Sequence, residues 1–165
     1  AVENQEYDQA LTHIHEAMGI DLGEGKQYRN ALDLIILGQI YLHKNDPGNG
    51  HNNYKQALQI LRMLPDIDEQ DRECSPYEIL VEIARWLHRS GENELAAELA
   101  YFIKQRNLPT NYIDVSHRAG KLLGLLEESL SNKAQARAKQ QAAVRNIDGT
   151  ISEMMSVLQS SAAGY

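Results

Sequence analysis

The sequence predicts an all-α chain of antiparallel helical hairpins ending in a long C-terminal helix. Three observations carry that prediction. Between Ser75 and Arg106, apolar residues recur at helical spacing in two blocks. Ile79, Ile83, Trp86 and Leu87 form the first, Leu95, Leu99, Phe102 and Ile103 the second, with Ser90-Gly91 between them. Two helices joined by so short a turn lie antiparallel and share their stripes. The apolar content rests on Leu, Ile and Ala, with one Phe and one Trp, which suits helix-on-helix packing. Only four prolines occur and no run of alternating β-branched residues stands out, so strands are not expected.

Each element follows from its local pattern. Tyr7, Ala10, Leu11, Ile14, Ala17 and Met18 fall on one helical face, and Gly19, Gly23 and Gly25 predict a turn after it. Gln27 to Lys44 resumes the pattern with Ala31, Leu34, Ile35, Gly38, Tyr41 and Leu42. Ile36, Leu37 and Ile40 make this helix apolar over much of its circumference, as expected of a central helix. Asn45 to Asn52 reads as a loop by composition, with Asn52 or Asn53 capping a helix from Tyr54 to Leu64 that Pro65 ends. Asp66 to Cys74 is a polar, acidic connector. Ser75, Pro76 and Glu78 then spell a capping box with proline at the first helical position, opening the hairpin.

After the break at Leu108 to Asn111, Val115, Ala119, Leu122, Leu123, Leu126 and Leu130 make an amphipathic helix. Lys133 to Val144 keeps high helix propensity, but its apolar residues are alanines and one valine. Ile147, Ile151, Met154, Met155 and Leu158 restore a stripe. The expected division is a helical domain over 1–131 and a C-terminal extension over 132–165.

The chain has 165 residues, 42% of them hydrophobic, enough to bury a sizeable core. Its formal net charge of −7 argues against general nucleic-acid binding, which draws its affinity from phosphate neutralisation. The single cysteine, Cys74, excludes an intramolecular disulfide and fits a reducing compartment. No apolar run approaches a membrane span, and residues 1–9 lack the features of a signal peptide, so a cytoplasmic protein is expected. Locally, Arg118, Lys121, Lys133, Arg137, Lys139 and Arg145 outnumber Glu127 and Glu128, which makes the tail basic on an acidic protein.

Small and aromatic residues at recurring positions resemble the tetratricopeptide repeat. Tyr7, Ala10, Ile14 and Ala17 are similar to a second repeat helix. Leu34, Leu37, Gly38 and Tyr41 are similar to a first helix, and Tyr54, Ala57, Leu61 and Leu64 to its partner. Ile83, Ala84, Leu87, Gly91, Ala96 and Ala100 resemble a further pair. The long loop at Asn45 to Asn52 and the acidic connector depart from that family's strict period. The resemblance implies stacked hairpins that bind peptides or partner helices, and small bacterial members of the family serve as chaperones for secreted subunits. Residues from Tyr7 to Leu42 also resemble the first two helices of the microtubule-interacting-and-trafficking domain, through Ala10, Ile14, Ala17, Asp21, Gly25, Ala31 and Gly38. That resemblance implies a three-helix bundle recognising helical tails.

Chemistry-bearing residues are sparse. His13 and His15 are two apart on a helix and point to different faces, so they do not chelate one ion. Asp66, Asp68, Asp71 and Glu73 lack the glycine and the glutamate that a calcium loop places at its sixth and twelfth positions. The glycines of residues 19–26 have a lysine but no preceding strand and no Ser or Thr after it, unlike a phosphate loop. Cys74, beside the expected cap, has no motif around it. No catalytic residue, metal or cofactor is expected.

The expectation is therefore a protein–protein interaction module, an adaptor or secretion-type chaperone, binding a partner polypeptide or copies of itself. Tyr28, Tyr41, Tyr54, Trp86 and Tyr101 are candidates to line a groove, since such rings supply contact area at low entropy cost. Ile147, Ile151, Met154 and Leu158 are candidates for a stripe offered to another chain. The alternative is a structural subunit of a virion or secretion machine whose C-terminal helix packs on its neighbours.

Overall fold

Helix formation extends beyond what the periodicity marks out. A computed structural model describes residues 2–23, 27–64 and 67–163, and among these every regular element is helical. The α-helices are α1 (Val2–Gly23), α2 (Gln27–His43), α3 (Pro47–Met63), α4 (Glu69–Arg89), α5 (Asn93–Gln105), α6 (Ile113–Ser129), α7 (Asn132–Ala143) and α8 (Ile147–Ala163), with a short 3-10 turn at Thr110–Tyr112. Consecutive helices pack against each other. The chain divides into two compact units: Ala1–Glu73 with Met155–Tyr165, and Cys74–Met154.

In the first unit, α2 lies between α1 and α3. It buries Asn30, Ala31, Leu34, Ile35, Leu37, Gly38 and Leu42, as a central helix should. Helix α1 runs through Gly19 to Gly23, so the turn expected at Gly19 does not form there; Gly25 lies outside the described residues. The loop expected over Asn45 to Asn52 is shorter than its composition suggests. Asn45 takes a left-handed backbone with φ 59°, which Asn tolerates better than most residues. Asp46 then caps α3, its carboxylate accepting from Asn49 N at 3.2 Å and from Asn49 Nδ2 at 2.7 Å. Pro47 fills the first turn, where its missing N–H costs no intrahelical bond. Asn52 and Asn53 are therefore helix-interior residues rather than caps. Pro65 and Asp66 lie outside the described residues.

In the second unit, the capping box expected at Ser75 is not the start of the hairpin. Helix α4 begins at Glu69, behind Asp68, whose carboxylate accepts from Gln70 N at 2.7 Å. Pro76 sits inside α4 and removes one intrahelical donor near its N-terminal end. Ser75 is fully buried and its Oγ shares a 3.2 Å hydrogen bond with Tyr112 OH, a partner the local sequence does not reveal. The turn at Ser90-Gly91 forms as expected, with Gly91 at φ +86°, a conformation glycine adopts without strain. Tyr77 of α4 and Phe102 of α5 meet with ring centroids 5.8 Å apart.

The C-terminal extension expected over 132–165 is two helices, α7 and α8, not one long one. Ser131 caps α7 by accepting from Ala134 N at 3.1 Å, and Gln135 Nε2 donates to the carbonyls of Glu127 and Leu130 at the end of α6. Asn146 Oδ1 accepts from Gly149 N at 2.8 Å at the start of α8. The alanine-rich stretch is no bare spacer. Ala134, Ala138 and Ala142 are buried along one stripe, and α7 packs on α5.

Candidate functional site

The residues expected to form a groove are placed as follows. Tyr54, Trp86 and Tyr101 are buried, while Tyr28 and Tyr41 are partly exposed on α2. Tyr54 is fully covered because its ring lies where a side chain on Gly38 would be: a Cβ there would come within 2.3 Å of it. Tyr101 is held by α6 and α7. Its hydroxyl donates to Glu127 Oε1 at 2.9 Å, and Lys139 Nζ stands 5.2 Å from its ring centroid. Burial, then the Glu127 carboxylate, push its phenol up to about 12. Ile151, Met154 and Leu158 are buried within the one chain, and Ile147 is partly exposed. Three of the four residues of that stripe are thus covered within the chain.

Much of the basic tail is met within the chain. Arg137 makes a two-pronged bond to Glu94 of α5, at 2.8 and 3.1 Å. That bond holds the Glu94 carboxyl below its ordinary range. Arg145 donates to Glu98 and to Glu153, each at 2.6 Å. Burial lowers the Arg145 pKa, but bonds to Glu153 and Glu98 outweigh it and the net direction is up. His13 and His15 are exposed on α1, and Cys74 is buried inside α4 and in no disulfide. Among the described residues no group of three His, Cys, Asp or Glu side chains comes together as a metal site.

Two features remain. The first is α1. Among its described side chains none is buried: Tyr7, Ala10, Leu11, Ile14, Ala17 and Met18 are all partly exposed. On α5, by contrast, seven residues from Ala96 to Ile103 are buried. Tyr7 stacks on His43 of α2 at 6.1 Å, and Asp8 pairs with Lys44 at 3.1 Å. Ile36 lies two turns before His43 on the same face of α2, yet is 39% exposed; Ile20 is 62% exposed. The seat of α1 on α2 leaves apolar surface uncovered.

The second feature is a cleft of about 440 Å³ in the second unit. Arg85, His88 and Arg89 of α4 line it on one side, Arg118 and Lys121 of α6 on the other, with Leu122 and Leu125 completing the wall. Beneath it, Glu82 is 3% exposed. Its Oε1 accepts from Arg118 Nη1 at 2.5 Å and from Arg85 Nη1 at 3.1 Å. Asp114 Oδ2 lies 3.0 Å from Arg118 Nε. His88 Nδ1 is 2.9 Å from Asn93 Oδ1. Sequence reasoning noted Arg118 and Lys121 only as part of a basic tail. Their three-residue spacing, matched by Arg85 and His88, was the available signal: it places each pair on one helix face.

No protein-family model matches the chain, and no curated protein or solved structure matches it. No helix among the described residues is long and apolar enough to cross a membrane.

Proposed function

We propose that the protein is an interaction module that holds a partner polypeptide by receiving a helix of that partner on the α1–α2 face of its first unit. The observation supporting this reading is the partly exposed apolar stripe of α1 beside exposed Ile36. Helices bury such stripes against another element, and an amphipathic helix laid along it is the simplest complement. Covering one aliphatic side chain completely is worth roughly 1.5–3 kcal/mol, so a few such residues suffice for a specific contact. The tetratricopeptide-like reading belongs with this proposal. Gly38 against Tyr54 and Gly50 against Leu42 bring α2 and α3 close together, which supports that reading. An adaptor or chaperone acting in the cytoplasm is the role that fits, with Cys74 kept as a thiol.

Photo-crosslinking in the native cell tests the proposal. A photoreactive residue at Ile36 should capture a polypeptide, and one at exposed Gln56 of α3 should not. A product of twice the chain's mass would identify the partner as a second copy. Equal capture at both positions, or none at Ile36, defeats the reading.

A further inference from the structure

We infer that the cleft between α4 and α6 binds a small soluble ligand carrying two or more phosphoryl groups. This stands apart from the reading of the first unit. Among the described residues, the lining of the cleft holds four permanent cations, Arg85, Arg89, Arg118 and Lys121, and no carboxylate, in a chain whose net charge is −7. A local cationic surplus on an acidic protein calls for a reason. His88 and Arg89 have one without any ligand, because they occupy the last turn of α4, where the helix dipole favours cations. Arg118 is held by Glu82 and Asp114, but Lys121 has no such reason: it lies within α6, away from its C-terminus. Among the described residues no carboxylate pairs with Lys121.

The arrangement is also prepared in advance. The buried Glu82 carboxylate ties Arg85 and Arg118, from two different helices, to one point. Side chains already held in place lose less entropy when a ligand arrives. Guanidinium groups donate in a planar fork that matches phosphate oxygens. Successive phosphoryl groups concentrate charge in a space of about 440 Å³. An acidic peptide spreads its carboxylates at about 3.3–3.6 Å per residue and matches the cluster less well. The volume exceeds what one phosphate fills, and Leu125, 55% exposed, offers an apolar wall for an organic part of the ligand.

Calorimetric titration of the full chain, at matched ionic strength, tests this with inorganic tripolyphosphate, a nucleoside triphosphate and a glutamate-rich peptide. At least one phosphate probe should bind, with saturable heat and a raised Tm. If the nucleotide binds more tightly than tripolyphosphate, the ligand class is a nucleotide; the reverse order assigns inorganic polyphosphate. Lys121→Glu, at an exposed position, should weaken binding about tenfold or more, while Lys133→Glu, outside the cleft, should leave it within about twofold. Arg85→Gln is the second variant and should also weaken it. No heat with either phosphate at millimolar concentration overturns the proposal. So does wild-type affinity in a folded Lys121→Glu protein, or tighter binding of the glutamate peptide.

Discussion

At Gly38 the space a side chain would take belongs to the ring of Tyr54, and the fit of α2 on α3 depends on that exchange. A Cβ added there would stand 2.3 Å from Tyr54 Cε1, so the ring or the helix must move. Gly38→Ala should destabilise the protein by about 1–3 kcal/mol, the usual cost of overpacking. Gly124 is the control. It lies within α6, is exposed, and has nothing within 4 Å of an added Cβ, so Gly124→Ala should stabilise by up to about 1 kcal/mol. Urea midpoints measured at unchanged m-value decide both signs. A Gly38→Ala protein as stable as the wild type would remove the close approach from the account.

Helix α7 shows how an element with little apolar surface still docks. Its stripe is alanine, buried at Ala134, Ala138 and Ala142, so its backbone comes close to α5 instead of presenting long side chains to it. At 12 residues it would be marginal alone in water. Arg137 with Glu94 and Lys139 over Tyr101 tie its flank to α5. The ion pair is half exposed and contributes little; the alanine contact positions the helix. Ala138→Leu should therefore cost about 1–3 kcal/mol, and Ala136→Leu on the exposed face should change stability by less than about 0.5 kcal/mol. Thermal unfolding of the two variants side by side checks the difference. Equal effects would mean that α7 does not use the alanine stripe.

At the scale of the molecule, the two units are unequally packed. Of the largest fully buried side chains among the described residues, eight belong to Cys74–Met154 and four, Ile35, Leu42, Tyr54 and Leu61, to the other unit. Stability follows buried apolar contacts, and opening begins where they are fewest. Trp86, the single tryptophan, sits in the richer unit, whereas circular dichroism reports helices of both. In urea, ellipticity should begin to fall before Trp86 emission shifts. Superimposable curves would show one cooperative unit instead.

Periodicity alone determined that this chain is helical, and it marked the buried stripe of α6 and part of those of α2 and α5, because helical spacing is written within a single element. It misplaced starts where proline admits two readings. Asp46-Pro47 opens a helix that composition hid, and Ser75-Pro76 imitates an opening inside one. It also offered Tyr54, Trp86, Tyr101 and Leu158 as contact surface, since an apolar residue that will be covered looks the same in sequence as one that will not. Only the tertiary structure decided which faces stay open, and only it brought Arg118 to Glu82, 36 residues away, to build the cationic cleft. Burial and charge convergence depend on neighbours supplied by other helices, and no local pattern encodes those neighbours.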